Sequence, residues 1–483
     1  MSAILTIFGF VMLLAPPVVI LRNYLRGTSD LVTSHNLFLI GCSNFFGIAA
    51  LGSGLTGLLH NNPTMGDVLL FIFATALFFG CLHWAYRKWE FPRKVALKHW
   101  RTSPPVEFSP ILVAALLTML FGAFASFLPV QIPVIGQTTN VLGKLLPAAG
   151  VALLFAAWLR TPINAVYLFG AGFMLVYGTF VALFGAGRHP LLAVLAAGPI
   201  TMYWMRWRYK PPTATIGIML GLGVAAFFLI LVYSTFRHDF MGEADAAVAA
   251  DRFKQLLEFD FHMTSEVEGL LQDESVAAGL LCVEKFHRAG SPEYFHTFKY
   301  ILSNPIPRDW WPNKPQALGE YLPESLGEFS DGYVNWGTSI IGNAFHDGGV
   351  WMAAVYGLIL GFFFRVFDDI MARQPLNPWP IAILTAVSSK LIGFSRGDIN
   401  VYSIEIIGIL VISMLGLWIL KSIFGSVPEE MFHLPSDGED DEGGYEEHDP
   451  YLEYEEHDGF EEYEEYEECG EYGEENDFRE RLT

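Results

Sequence analysis

About eleven runs of apolar residues, most of them close to 20 long, are spread along this 483-residue chain, and few folds accommodate such a pattern. A hydrocarbon core about 30 Å thick is crossed by a helix of about 20 apolar residues. The runs fall at 3–21, 36–59, 67–86, 109–130, 141–159, 163–184, 189–204, 214–234, 347–366, 378–395 and 401–421. Several contain Gly or Pro, which bundled transmembrane helices tolerate. The predicted fold class is an all-α polytopic membrane protein with about 11 transmembrane helices. Composition agrees: 17% of residues are charged, against about 25% in soluble domains.

Lys and Arg in short loops mark the cytoplasmic side. Arg22 and Arg26 follow the first run, Arg87, Lys88, Arg93, Lys94, Lys98 and Arg101 the third, and Arg206, Arg208 and Lys210 the seventh. The intervening loops, such as "HNNPTMGD" (60–67), are nearly free of them. This pattern predicts a multi-pass protein with its N-terminus outside and its C-terminus in the cytoplasm. The first run lacks a charged n-region and an A-x-A site, so a retained span is expected rather than a signal peptide.

Four regions follow. Residues 1–234 form an N-terminal transmembrane bundle, 235–346 one large external loop region, 347–427 C-terminal transmembrane helices, and 428–483 an acidic tail. In the external region Phe253, Leu256, Leu257 and Phe261 recur at helical spacing. "SEVE" (265–268) has the form of a capping box. Short helices lying over the bundle are expected there.

The net charge of −22 belongs to the tail. Residues 428–483 carry 25 Asp and Glu against 2 Arg, leaving 26 acidic and 27 basic groups in the rest of the chain. Like charges at this density bury no core, so disorder in the cytoplasm is expected. Cys42, Cys81, Cys282 and Cys469 show no metal-ligand spacing and no disulfide framework.

The chemistry-bearing residues cluster near the outer ends of the predicted spans. "NPIPRDWWPNKP" (304–315) packs four prolines, Trp310, Trp311, Arg308 and Lys314 into twelve residues. Its prolines forbid helix and favour extended or turn backbone. Arg237 and His238 close the eighth span, His346 opens the ninth, and Arg396 sits at the outer end of the tenth, with Lys390 further down it. Each cation has two readings. It snorkels to lipid headgroups, or several converge on one anion, since Arg fits a phosphate oxygen pair with two parallel hydrogen bonds. The tryptophans either anchor at the headgroup zone or line a glycan groove. The chain has no P-loop, no G-x-S-x-G and no H-E-x-x-H. "EAD" (243–245) is a poor D-x-D, and Asp368 and Asp369 lie on the opposite face. No metal and no cofactor are expected.

The order of these features resembles the oligosaccharide repeat unit polymerases, the Wzy-like O-antigen polymerase family. The resemblance rests on residues 235–400. It comprises Arg237 directly after a span, the Pro-Arg…Trp-Pro-x-Lys-Pro pattern of 304–315, the Gly-rich "GEFSDGYVNWGTSIIGNAFHDGG" (327–349) and "SRGD" (395–398). The N-terminal half matches only as hydropathy, and the tail lies outside the pattern. The family is similar to multi-spanning C-type glycosyltransferases, which implies that fold. The implied reaction is metal-independent transfer of a glycan from undecaprenyl diphosphate to a hydroxyl of another lipid-linked repeat unit. The implied partners are lipid-linked oligosaccharide substrates, the lipid bilayer and other polysaccharide-assembly proteins, with no nucleic acid.

Under this resemblance Arg237, Arg308, Lys314 and Arg396 bind the diphosphate, with Trp310 and Trp311 beside them. The proton acceptor is one of His346, His238 and Glu328, His having the suitable unperturbed pKa. An O-antigen ligase-like transferase shares donor and architecture. A lipid-linked glycan flippase or transporter would instead spread polar groups through its span interiors. A scaffold would act through the tail.

Overall fold

Helical backbone covers most of the described residues of each apolar run in the computed structural model, which describes residues 1–57, 59, 63–127, 136–184, 188–238, 273, 275–308, 310–326 and 336–432. The helical expectations at 253–261 and 265–268, Glu328, and the tail from 433 lie outside the described residues, as do the side chains of Arg237 and His238.

Helix α1 (Ser2–Leu25) leads into α2 (Ser34–Cys42), which runs through a π-helical turn (Ser43–Ile48) into α3 (Ala49–Thr56). Then come α4 (Met65–Arg87), the short basic α5 (Glu90–His99), α6 (Phe108–Phe127), α7 (Gly136–Arg160), α8 (Ala165–Phe184), α9 (Arg188–Met205) and α10 (Pro212–His238). The starts follow local chemistry. Thr33 Oγ1 accepts the Asn36 amide, and Thr64 and Asp67 form a capping box, each satisfying amides that the first helical turn leaves unpaired. Seven helical segments among the described residues are long and apolar enough to cross a membrane: 2–25, 34–56, 65–87, 143–160, 165–182, 350–373 and 399–424. Large apolar side chains stand outward on them, among them Phe10 and Leu14, Phe169 and Val176, and Val411 and Trp418. Apolar surface on this scale belongs in lipid, and the protein is a multi-pass membrane protein.

The described part of 275–346 holds four short helices: α11 (Ser275–Val283), α12 (His296–Ser303), α13 (Leu318–Ser325) and α14 (Ser339–Asp347). They do not all lie over the bundle. Every residue of α11 and of α14 is buried, and α11 packs on α14, α3 and α4. Their apolar sequences, "SVAAGLLCV" and "SIIGNAFHD", explain the depth. Glycines set the contact, since a Cβ on Gly342 would lie 3.1 Å from Gly279 Cα. The chain then continues through α15 (Val350–Arg373), α16 (Pro378–Gly393) and α17 (Ile399–Phe424).

Contacts sort the helix ends into two sets. At one end β1 (Thr102–Ser103) pairs antiparallel with β2 (Val427–Pro428), Arg208 bonds Asp30 at 2.6 Å, and Gln374 donates to Trp100 O and Glu429. At the other, Arg288 meets Asp67 at 3.0 Å, His189 meets Ser389 O and Tyr402, and the Glu293 and Phe295 amides donate to the carbonyls of His346 and Asp347. The first set joins the loops that the basic residues put on one side. It also draws residues 427–432 into the bundle, with Phe432 buried beneath Arg160. Composition put the tail boundary at 428. The described residues as far as 432 pack on the body, where a two-residue ladder and a buried ring hold them.

Helix α15 lies along α4 through "GLILG" (357–361), a small-xxx-small spacing that lets transmembrane backbones approach closely. A Cβ on Gly361 would lie 2.6 Å from Leu82 O. Gly361→Ile is expected to cost about 1–3 kcal/mol or more, read as a drop in the detergent unfolding temperature, whereas truncation after Pro435 should leave it unchanged.

Candidate functional site

The proline-rich stretch is a closed loop carried by α12 and α13. Helix α12 begins after Phe295, whose backbone turns through a positive φ of 60°, and ends at Ser303. From Asn304 the prolines force a series of tight turns: the Trp310 and Trp311 amides donate to Pro307 O, and the Lys314 amide to Trp311 O. Lys314 fastens the loop. Its Nζ donates to Asn304 O at 3.3 Å and Ile306 O at 3.0 Å, just beyond the C-terminus of α12, where a cation is favoured.

This loop walls a cavity of about 340 Å³ lined by Glu293, His296, Arg308, Pro312, Asn313, Lys314, Pro315, Gln316 and Tyr321. Arg308 and Lys314 thus share one space. Burial lowers the Lys314 ammonium pKa, and the nearby Arg308 charge lowers it further. Two like charges held this close favour an anion between them. Trp310 and Trp311 are not among the lining residues and stand outward, 77% and 43% exposed.

Behind the cavity wall lies His346, 1% exposed. Its ring packs edge-on against His296 and Phe286, each with centroids 4.5 Å away. His296 occupies the wall itself. Its Nε2 is 2.8 Å from Gln316 O and its Nδ1 is 3.0 Å from Glu293 Oε2. A carbonyl only accepts, so Nε2 carries the proton. Lys285 sits over the Tyr321 ring at 4.9 Å and bonds Ser325.

Comparison with protein-family models, with curated proteins and with solved structures finds no match. The site therefore stands on its own geometry.

Of the residues expected from sequence, the structure brings Arg308 and Lys314 into one cavity and sets His346 one ring behind it. Arg396 does not line that cavity. Its Nε pairs with Asp273 Oδ2 at 3.2 Å and its stem covers Gly337. The sequence reading missed Glu293, His296 and Tyr321. The Glu-x-x-His spacing of "PEYFH" (292–296) was the available signal, and no helical or strand pattern around it drew attention.

Asp398 connects the regions. Its Oδ2 accepts the Gly319 amide at 3.0 Å and its Oδ1 the Asn400 amide at 3.1 Å, so one carboxylate caps α17 and holds the start of α13. Burial pushes its carboxyl up to about 7, against these two donors, which pull it down. A carboxyl raised above its unfolded value of about 3.9 contributes stability that is complete below pH 4 and is lost as pH rises through about 7. The unfolding temperature is expected to fall between pH 4 and pH 8, and Asp398→Asn to flatten that slope. Parallel profiles for the two proteins would remove Asp398 as the cause.

Proposed function

We propose that this chain is a membrane glycosyltransferase that polymerises undecaprenyl-diphosphate-linked oligosaccharide repeat units at the outer face of the cell inner membrane. The proposed topology has eleven crossings, the N-terminus outside and the C-terminus cytoplasmic, on a C-type glycosyltransferase-like plan. The basic loops all falling at one end of the bundle support this orientation. The observation that carries the reading is the cavity in which Arg308 and Lys314 meet a carboxylate and an imidazole.

The proposed step is a substitution at the anomeric carbon. An acceptor hydroxyl oxygen forms the new C–O bond, the bond to phosphate breaks, and the diphosphate leaves with the electron pair. Arg308 and Lys314 stabilise the charge that grows on it, which counts most where water is scarce. The hydroxyl proton passes to Glu293 Oε1, leaving Oε2 facing His296 within the Glu293–His296 pair at the cavity wall. His346, expected from sequence as the base, stands behind that pair and positions it. Trp310 and Trp311 hold the loop at the headgroup level.

A transporter reading draws on a different observation. Lys390 Nζ and Glu405 Oε2 pair at 2.5 Å, both nearly buried, inside α16 and α17, and ionisable groups within spans mark pathways for polar cargo. Detergent separates the readings, since no transport occurs without a bilayer. Purified protein mixed with lipid-linked repeat units is expected to give a ladder of longer glycans. Arg308→Ala should slow laddering about 10²–10³-fold at an unchanged protein yield. Full-rate laddering by that variant would take Arg308 out of the mechanism, and no laddering by the parent protein would favour transport.

A further inference from the structure

We propose that Glu293, His296 and His346 form a binding site for one divalent transition-metal ion of the zinc class, on the inner wall of the Arg308 and Lys314 cavity. One ligand atom from each residue lies within 4.8 Å of the other two. His296 Nδ1 is 3.0 Å from Glu293 Oε2, and His346 Nε2 is 3.8 Å from that same oxygen. With metal–ligand bonds of about 2.0–2.2 Å, tetrahedral neighbours stand about 3.4 Å apart. The two distances to Glu293 Oε2 bracket that value and the ligand atoms of the two imidazoles lie within 4.8 Å of each other, so side-chain rotations close the site on an ion.

Two further observations point the lone pairs inward. The first is His346, 1% exposed, whose two ring nitrogens have no hydrogen-bond partner. Buried polar side-chain atoms are nearly always paired, and an unpaired one calls for an explanation such as an ion. The second is the His296 tautomer. Its Nε2 proton goes to Gln316 O, which leaves the Nδ1 lone pair facing the Glu293 carboxylate. Two acceptors 3.0 Å apart repel unless a cation lies between them, either a proton or a metal ion.

The surroundings match those of metal-bound imidazoles, which commonly donate their second N–H to a carbonyl or carboxylate that fixes the ring. Gln316 O does this for His296, and Asp347 Oδ1 stands 3.5 Å from His346 Nδ1. Asp347 is itself held by the Thr297 amide at 3.1 Å and by the Tyr356 hydroxyl. Two imidazoles and one carboxylate suit zinc and its neighbours rather than calcium or magnesium. Three protein ligands leave a fourth position, and because Glu293 and His296 line the cavity, that position opens onto it. No contiguous sequence motif marks this site, because its ligands come from two separate stretches of chain.

The site does not depend on glycosyl transfer, so it is tested without substrate. Full-length protein, purified through a tag without histidine and stripped with chelator, is titrated with Co²⁺ in detergent. Metal content and the visible d–d absorption are read together. The expected result is one tightly bound Co²⁺ with the intense band of a low-coordinate site, displaced by Zn²⁺. Glu293→Gln and His296→Gln, both at the cavity wall, should each weaken binding at least about 100-fold, more than loss of an outer partner does. His346→Gln serves as a third variant if its elution profile shows a folded protein. Absence of the band in the parent protein overturns the proposal and leaves a shared proton between His296 and Glu293. A pale octahedral spectrum, or a band that survives in the variants, also overturns it, placing the ion elsewhere, as on the acidic tail.

Discussion

Two buried aspartates, one before α15 and one near its other end, tie the bundle together. Asp347 is fully buried and accepts from the Thr297 amide, in the first turn of α12, and from the Tyr356 hydroxyl. Asp368 accepts the Ser34 and His35 amides, in the first turn of α2, and the Tyr86 hydroxyl at 2.9 Å. The chemistry is the same in both places. A helix N-terminus offers unpaired amides and a partial positive charge, and a carboxylate removed from water needs such donors to be tolerated. Helix α15 is therefore stapled to an N-terminal helix near one end, through Asp368, and to the site-bearing segment near the other, through Tyr356.

The site depends on the first of these staples. Asp347 holds the start of α12, and α12 carries His296 at its first residue. The Glu293 and Phe295 amides pair with carbonyls at the end of α14, so the loop before α12 runs against the helix that supplies His346. Lys314 and Gln316 then close the proline-rich loop back onto α12. A polar site is assembled in this way at the edge of an apolar bundle: backbone carbonyls hold Lys314 and His296, and an amide and a hydroxyl hold Asp347. Neither ring nitrogen of His346 has a hydrogen-bond partner.

Much of this architecture was legible in the chain. Runs of about 20 apolar residues fall on helices because lipid leaves backbone amides no partner but their own helix. The stiff "NPIPRDWWPNKP" stretch carries Arg308 and Lys314, and its prolines enforce the turns that set both on one cavity. Other features were not legible. The apolar helices α11 and α14 were read as part of an external cover, because nine residues are too few for a span and the hydropathy of a short helix does not report depth. Arg396 was grouped with the other cations by its position at a span end, but Asp273 pairs with it, and a one-dimensional order of charges cannot show such a partner.

The sequence by itself determined a multi-pass helical membrane protein, the side on which its basic loops gather, and a rigid cationic loop at the opposite face. These follow from local properties: length, hydropathy, and the fixed backbone of proline. Only the tertiary structure decided which side chains meet. Glu293 and His296 are near neighbours in the chain, while His346 comes from a distant helix, and their convergence rests on glycine contacts between α11 and α14 and on one buried carboxylate. Those contacts are long-range and satisfy polar groups that no local pattern records, so the site became visible only when the chain was folded.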